Sequence, residues 1–522
     1  MSASRHNEQV AKYLASHKSG NRVRRNHASD GFGPDITDKM RTVKLHDSDS
    51  HVQQRQKTDT LQRRLEGSGP SKSRGVDAKS AIRPGRRRAS IDDLPNEVLL
   101  KLFSFLPANS LVICDFVCKR WHHLANDESL WERQYRSYAA TKSELVGPRL
   151  QLAKPSDPGC NWKVKCIQKC IERRNARIKT LLNKCSPYTH LPTYTDKTIQ
   201  KLGISWELVL RDDNKENHSF VHSDCYHFPT SCTVRWFHLQ FPPIRSLTNL
   251  SIIAKAPVFF KKDGSAADNS PCQRSLLFQQ DLNWGKLSIS HLPDAHDDLI
   301  DLRVIGQCIL VATWKDGGEL AFISVCLHNH GLVHRCTQGS INRLYIPPSC
   351  KPKPDDIDPQ YGLHDYTCIV ELRTQRSVIW GQQFKNVHCS KTQKEERFAR
   401  LVPIRPDVIS DHSYASKKMQ LPWKSDLFKG IVQDFCILDV TMHDEFLKPF
   451  WCISCPVTVE KTHDSVVNYN YDGDPYVITH SGDKGSVNLY SIWDHSKEQY
   501  VITGVILDVS LDAINAWFST NY

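Results

Sequence analysis

The sequence has no long uninterrupted apolar run, and this absence already excludes several classes of protein. Its longest nearly apolar stretch, residues 304–313, contains Gln307 and is too short to cross a bilayer. The first residues contain no apolar core of the kind that a secretory signal peptide needs. Eighteen cysteines in 522 residues, without such a signal, indicate reduced thiols rather than a disulfide framework. We therefore expect an intracellular protein, cytoplasmic or nuclear, that does not cross a membrane.

Motifs for catalysis are also scarce. There is no Gly-x-Ser-x-Gly nucleophile elbow, there is no glycine-rich phosphate loop, and no cysteine stands in a context that would activate its thiol. Cys452 and Cys455 form a Cys-x-x-Cys, but no second pair accompanies them and residues 450–453 are strand-like. We therefore predict a protein that is not an enzyme and that needs no cofactor.

Residues 1–88 are basic and poor in aromatic residues. They contain 20 Lys and Arg against 9 Asp and Glu, so most of the net charge of +12 lies in this segment, which has no Cys and no Trp. Because such a segment buries too little apolar surface to offset the entropy cost of ordering, we predict a disordered basic leader. Arg83, Arg86, Arg87 and Arg88 are typical of a nuclear-import or nucleic-acid-binding patch, and Ser90 follows Arg87-Arg88 as in a basophilic kinase site. A solvated linker is the simpler interpretation.

A helical pattern follows the leader. Pro95 suits the first turn of a helix, and an apolar stripe with helical spacing runs from Leu99 to Leu106. Residues 107–110 end that helix and cap the next one, and further large apolar residues follow as far as Trp131. About forty residues cannot enclose so many large side chains, so a partner or the rest of the chain must cover some of them.

The same segment resembles the F-box. Leu-Pro-x-Glu-x-Leu begins at Leu94, and Phe-Ser-Phe-Leu, Val-Cys-Lys-Arg-Trp and a closing Leu-Trp follow in order at the spacing usual in that family. The resemblance implies an all-α module over residues 89–137 that binds the Skp adaptor, which bridges to a cullin scaffold with a RING subunit in an SCF-type ubiquitin ligase. It implies adaptor contacts for nine residues: Leu94, Pro95, Glu97, Leu99, Phe103, Leu106, Val117, Cys118 and Trp121. Leu130 and Trp131 would close the module onto the next helix.

Helical character continues over residues 138–188. Between Trp162 and Cys185, apolar residues fall on one helical face and basic residues occupy the rest. We predict a helical linker whose apolar face packs on Trp131 and on the following domain, with its charges solvated. Membrane or nucleic-acid binding by this basic helix is the alternative.

From about residue 190 the pattern changes to that of strands. Residues 233–241 and 286–290 alternate between apolar and polar, residues 308–313 and 368–372 are β-branched and apolar, and Gly-rich turns such as residues 482–485 separate such segments. The pattern predicts a large mainly-β domain over residues 189–522, either one domain or two packed together. A single Trp-Asp pair, Trp493-Asp494, is compatible with a propeller, but no repeat of about 40–45 residues accompanies it. We therefore favour a β-sandwich over a propeller-like arrangement.

The best metal candidates are five residues close together in the sequence: Cys326, His328, His330, His334 and Cys336. If residues 326–330 form a strand, the first three side chains share a face, and a turn at Gly331 would bring the other two back beside them. The spacing matches no common zinc module. Histidines that alternate along the solvent face of a hairpin are the simpler interpretation, so we predict no metal site.

These features together predict the substrate-recognition subunit of an SCF-type ubiquitin ligase. The F-box would anchor the adaptor, the linker would act as a spacer, and the β-rich domain would bind an unidentified protein substrate for ubiquitination and degradation. Such a receptor acts by proximity and needs no catalytic residue of its own. Two alternatives stay open, an enzyme in the β-rich domain that carries an F-box for regulation, and a nucleic-acid-binding protein that acts outside the ligase. We consider nucleic acid the less expected partner.

Overall fold

The structure is a computed structural model of the chain. It describes residues 91–139, 161–261, 263–283, 297–347, 365–388, 390–391, 397–463 and 471–522. The predicted leader over residues 1–88, the candidate phosphosite Ser90 and the predicted strand over residues 286–290 lie outside the described residues.

The helices of the described residues precede and flank a set of β-sheets. They are α1 Asn96–Phe103, α2 Ala108–Cys114, α3 Lys119–Ala125, α4 Glu128–Ala139, α5 Trp162–Leu181, α6 Thr195–Lys201, α7 Leu332–Thr337 and α8 Leu511–Phe518. Short 3-10 turns lie at Ile91–Asp93, Ile244–Ser246 and Ile409–Asp411. We call residues 91–139 the helical module. In the part of the chain that the structure describes, no helix combines the length and the apolar character that a bilayer crossing requires.

Local chemistry explains where several helices begin. Pro95 and Pro107 stand immediately before α1 and α2, which confirms the predicted helix start at Pro95. The Cys118 sulfur accepts a hydrogen bond from the backbone N–H of Trp121 and so caps α3. Asn161 caps α5 in the same manner, with its side-chain oxygen as the acceptor.

The strands fall into two groups along the chain. The first β-unit contains β1 Ser205–Asp212, β2 Asn217–Val221, β3 Asp224–His227, β4 Ser231–Trp236, β5 Leu247–Pro257, β6 Cys272–Asp281, β7 Ile300–Ile305, β8 Ile309–Trp314, β9 Leu320–His328 and then α7. The second β-unit contains β10 Asp365–Arg373, β11 Val378–His388, β12 Ser390–Lys391, β13 Phe398–Ile404, β14 Ser413–Tyr414, β15 Gln420–Lys424, β16 Lys429–Gln433, β17 Phe435–His443, β18 Pro449–Thr458, β19 Glu460–Lys461, β20 Gly473–Gly482, β21 Gly485–Asp494, β22 Gln499–Ser510 and then α8.

The second β-unit repeats the strand order of the first. The two sheets of the first unit have the orders β2-β1-β5-β6 and β3-β4-β9-β8-β7. The second unit has the orders β11-β10-β17-β18 and, within a larger sheet, β12-β13-β22-β21-β20. Each strand of the first unit therefore has a counterpart in the second, and each unit ends in a short helix. Among the described residues, the second unit also contains β14, the β15–β16 hairpin and β19, which have no counterpart in the first.

Each β-unit buries an apolar core between its two sheets. Trp206 on β1, Val234 on β4 and Ile252 on β5 share the first core, and Val370 on β10 and Leu489 on β21 share the second. Alternate residues of β4, β10 and β17 lie in these cores, as the period of two of a β-strand requires. The prediction of a large mainly-β domain is confirmed. The paired, facing sheets agree with the favoured sandwich and not with the radial blades of a propeller.

A polar layer connects the two β-units. The Arg373 side chain on β10 donates a hydrogen bond to Asp439 Oδ2 on β17 at 2.6 Å, and both side chains are fully buried. Arg373 also donates to Thr233 Oγ1 on β4 at 2.9 Å. His328 Nε2 and Thr441 Oγ1 lie 2.8 Å apart in the same layer. Residues of the first unit therefore hydrogen-bond directly with strands of the second.

Helix α5 connects the helical module with the first β-unit. Cys166 packs in one core with Trp131 of the module, whereas Ile178 packs in the core of the first β-unit. The predicted packing of this helix on Trp131 and on the following domain is confirmed. The expectation that its charges are solvated is wrong for Arg174, which is 3% exposed and donates to Gln273 Oε1 at 2.7 Å.

Among the described residues, the five candidate metal ligands of residues 326–336 form no cluster of ligand atoms. The chain enters α7 after Gly331 instead of turning back as a strand, so His334 lies exposed on a helix. Cys336 packs in the core of the first β-unit. The interpretation of a solvent-facing hairpin is also wrong, because His328 is buried and that burial lowers its pKa to about 3.

Candidate partner-binding surface of the helical module

The helical module buries one set of apolar side chains against the rest of the chain. Phe103 and Leu111 lie in a core with Trp131, with Cys166 of α5 and with Phe259, which follows β5. The indole N–H of Trp131 donates to a backbone carbonyl inside the module at 2.7 Å. The chain itself therefore covers part of the apolar surface that a module of this size cannot enclose.

A second set of apolar side chains on the module is exposed. Its members, which we call the exposed apolar set, come from α1, α2 and the turns after them: Val98 (43% exposed), Leu102 (44%), Phe105 (69%), Ile113 (40%), Phe116 (83%) and Val117 (57%). Val98 and Leu102 stand one helical turn apart on α1, and exposed large apolar side chains that share a face are typical of sites of protein contact. The module therefore offers a candidate surface for a protein partner.

The nine predicted adaptor contacts are distributed over both sets. Pro95, Glu97, Val117 and Cys118 are exposed, Leu94, Leu106 and Trp121 are half-buried, and Leu99 and Phe103 are buried. Leu130 and Trp131 are buried, as a closing role requires. Sequence reasoning gave no adaptor role to five members of the exposed apolar set: Val98, Leu102, Phe105, Ile113 and Phe116. A helical stripe shows which residues share a face, but which face is covered depends on α5 and Phe259, which are distant in sequence.

Polar contacts fix the position of α1 within the module. Arg120 on α3 donates from Nε to Asn96 Oδ1 at 2.8 Å, and its guanidinium also donates to the Leu94 carbonyl. The rings of Phe103 and Trp121 meet edge to face with centroids 5.1 Å apart. The exposed residues of α1 are therefore held on a framework with defined geometry.

Asp115 ties the module to α5. Its Oδ2 lies 2.7 Å from Lys163 Nζ, which is also 2.8 Å from Asn126 Oδ1. His122 Nδ1 is 2.8 Å from the other oxygen of Asp115. Burial alone would raise the pKa of Asp115, but the hydrogen bond and the charge of Lys163 lower it below its usual value.

A surface groove of about 300 Å³ lies beside this carboxylate. It is lined by Asp115, Phe116, Cys118, Lys119, His122 and His123. An aromatic ring next to a lysine and two histidines suits a partner segment that presents both apolar and acidic side chains.

Replacing Lys163 by methionine is expected to lower the free energy of unfolding by about 1 kcal/mol at pH 7, because Asp115 and Asn126 each lose one of their partners. The folded-state pKa of Asp115 is depressed, so this contribution is present above the pKa of the unfolded chain and is lost as the pH falls through the folded value. The difference from the unmodified protein should therefore shrink in acid, which urea unfolding at pH 7 and at about pH 3 measures. A difference that stays the same at both pH values would contradict this role of Asp115.

The matched control for this variant is Lys169→Met. Lys169 lies on the same helix and forms an exposed pair with Glu172 at 3.3 Å. Since exposed pairs contribute little, we expect no measurable change in stability.

Comparison with known proteins agrees with the sequence motifs. The F-box-like family model matches residues 91–137. The chain is 31% identical over 438 residues to F-box only protein 15 of Macaca fascicularis, an alignment that covers 82% of this chain and 100% of the relative. It is 31% identical over 441 residues to F-box only protein 15 of Homo sapiens, which covers 83% of this chain and 86% of that protein.

More limited similarities lie outside this group. F-box protein dre-1 of Caenorhabditis elegans is 37% identical over 57 residues, which is 11% of this chain and 6% of that protein. The crystal structure of a protein of unknown function from Nostoc punctiforme is 7% identical, with a TM-score of 0.12 over 61% of this chain and 100% of that one. That score is too low to support an argument about the fold.

The match to the first relative covers 82% of this chain, so the similarity extends well beyond the helical module and into both β-units. The resemblance to the F-box is therefore confirmed, and the chain belongs to the F-box only protein 15 family of F-box proteins.

Proposed function

We propose that the chain is the substrate-recognition subunit of an SCF-type ubiquitin ligase and that its helical module binds a Skp-type adaptor. The observation that carries the proposal is the exposed apolar set on a module whose other face is packed against α5 and Phe259. Membership in an F-box family supports the adaptor as the occupant of that surface.

The energetics of this surface are compatible with stable docking. Complete burial of a large apolar side chain is worth about 1.5–3 kcal/mol, and Phe105, Phe116 and Val117 have most of their surface still to bury. Association costs on the order of 4–15 kcal/mol in lost freedom and side-chain ordering. The partner must therefore cover most of the exposed apolar set, and the two phenylalanines are the expected anchors.

In this proposal the two β-units bind the substrate. Helix α5 packs in the core of the module and in the core of the first β-unit, so it would hold adaptor and substrate at a fixed separation. A cullin scaffold with its RING subunit would be reached through the adaptor, inside the cell. A substrate lysine held near the charged conjugating enzyme reacts at a raised effective concentration, and the chain itself supplies no catalytic residue.

The experiment is co-purification of the full chain with the adaptor, the cullin and the RING subunit, followed by an assay of ubiquitin transfer. The double change Leu102→Asp, Val117→Asp places two charges in the exposed apolar set. We expect it to reduce recovery of all three partners and ligase activity by about tenfold or more, because the charges must be desolvated on docking.

The matched control is Phe446→Asp, which adds a charge at a 59% exposed phenylalanine on the turn between β17 and β18. It should leave recovery of the adaptor unchanged. If the double variant melts at the normal temperature and still binds the adaptor with undiminished affinity, the proposal is wrong.

A further inference from the structure

Two cysteines and a histidine converge at the edge of the first β-unit. Cys225 and His227 stand two residues apart on β3, the edge strand, and Cys232 on β4 is paired in register with His227. The two sulfur atoms and one ring nitrogen all lie within 4.8 Å of one another. Cys225 Sγ is 3.4 Å from His227 Nε2.

The separation of Cys225 and His227 is close to that of two ligands in a tetrahedral zinc site. With Zn–S near 2.3 Å and Zn–N near 2.0–2.1 Å, a sulfur and a nitrogen bound to the same ion stand roughly 3.5 Å apart. The observed separation of Cys225 Sγ and His227 Nε2 is 3.4 Å, so these two side chains can bind one ion with little movement, and Cys232 Sγ lies within 4.8 Å of both. Thiolate and imidazole ligands select zinc over magnesium and calcium, which prefer oxygen.

The β3–β4 hairpin that carries these residues is held by hydrogen bonds within its turn and from Asn329. Its turn is closed by a hydrogen bond from Phe228 N to Ser231 O at 2.8 Å. The Asn329 side chain, which follows β9, donates to the Phe228 and Pro229 carbonyls at 2.8 and 3.0 Å. The strands on either side of the turn therefore hold the three side chains in a pre-set arrangement.

Burial at this site is graded. Cys232 is fully buried, whereas Cys225 and His227 are partly exposed, which leaves a route for an ion from solvent. His227 Nδ1 has no hydrogen-bond partner among the described residues, so nothing there forces the ring proton onto the other nitrogen. That other nitrogen, Nε2, faces Cys225 and is therefore available as a ligand atom. Cys336 on α7 lies outside the group of three.

We propose that Cys225 Sγ, His227 Nε2 and Cys232 Sγ bind one zinc ion, with water or a donor from a partner protein at the fourth position. Binding releases the thiol protons, so two thiolate charges balance the charge of the ion. The ion would join β3 to β4, and β4 belongs to the sheet that contacts the second β-unit through Thr233. The site would therefore stabilise the edge of this sheet.

The test begins with the full chain, purified without a histidine tag and analysed for metal by mass spectrometry. We expect about one zinc per chain, and about tenfold less or lower in Cys225→Ser and Cys232→Ser. Cobalt(II) replacing zinc should give the intense visible bands of a tetrahedral ion and the near-ultraviolet charge-transfer band of thiolate ligands. The cobalt spectrum of the unmodified chain keeps the test decisive if Cys232→Ser does not fold.

Two control variants separate this site from other candidates. Cys272→Ser removes an exposed cysteine elsewhere, and His218→Asn removes a member of the second potential ligand group, which also contains Asp212 and Glu216. Both should retain zinc. The inference is wrong if the unmodified chain binds no zinc on reconstitution or if Cys225→Ser retains the zinc. It is also wrong if His218→Asn is the only variant that loses zinc, or if Cys225 and Cys232 form a disulfide.

Discussion

Replacing Asp439 by asparagine is expected to lower the free energy of unfolding by about 3–5 kcal/mol, because it leaves the buried charge of Arg373 without its counterion. The two side chains are fully buried and 2.6 Å apart in the polar layer between the β-units. Asparagine keeps the size of the aspartate and part of its hydrogen bonding. The decrease in unfolding free energy therefore measures the effect of removing the negative charge. Guanidinium chloride unfolding of the full chain measures it.

The groups around Arg373 and Asp439 determine how much unfolding free energy is lost in Asp439→Asn. Burial and the charge of Asp439 raise the pKa of Glu371, which shares Thr230 as a hydrogen-bond donor with Asp439. Removing the Asp439 charge should bring the pKa of Glu371 down towards its usual value, so that the Glu371 carboxylate compensates Arg373 in part. The double change Asp439→Asn, Glu371→Gln should therefore cost more than the sum of the two single changes.

Removing both charges of the central pair is the complementary test. The variant Arg373→Met, Asp439→Leu should be less destabilised than Asp439→Asn, because it removes both buried charges and with them their desolvation penalty. The exposed pair Arg405–Asp407 provides the control, and Asp407→Asn should leave stability unchanged. Equal effects of Asp407→Asn and Asp439→Asn would contradict the structural role of the polar layer.

The helical module was predictable because its signals are local. A proline before α1, a stripe at helical spacing and a break at Pro107 all act within a few residues of one another. The β-units were predictable only as a class. Alternation shows which side chains share a face of a strand, but pairings such as that of Phe398 with Ser510 join residues far apart in the chain, and tertiary packing selects them.

The repeated strand order was not visible in the sequence because the copies differ in their turns. The β7–β8 turn has three residues between the paired Ile305 and Ile309. Its counterpart between β20 and β21 has two, because Gly482 pairs with Gly485. The second unit also contains β14, β15, β16 and β19, so no constant period relates the two copies. The topology is repeated, but the spacing is not.

The two cysteine and histidine clusters show how far spacing alone can be interpreted. The candidates between Cys326 and Cys336 required a strand to return after Gly331, but that residue, with φ near 69°, begins a helix. The convergent residues Cys225 and His227 could have been found with Cys232 from a Cys-x-His pattern followed by a short turn. That inference needs the cross-strand register, which local sequence does not specify.

Two phenylalanines of the helical module should separate partner binding from folding. Phe116 is 83% exposed, whereas Phe103 is 3% exposed and packs in the core of the module. Phe116→Ala is expected to weaken adaptor affinity by about thirtyfold or more, equivalent to at least ~2 kcal/mol, as for an aromatic anchor of an interface. Its melting temperature should stay unchanged, because an exposed ring adds little to the stability of the unbound fold.

Phe103→Ala should show the opposite pattern. Loss of a buried ring that contacts Trp121 is expected to lower the free energy of unfolding by about 3–5 kcal/mol. Calorimetric titration with purified adaptor and thermal unfolding, applied to both variants, distinguish the two roles. If Phe116→Ala binds as tightly as the unmodified chain, the exposed ring does not contact the adaptor. If Phe103→Ala alone loses affinity for the adaptor while its stability is unchanged, the adaptor must open the module to reach a side chain that is buried in the unbound structure.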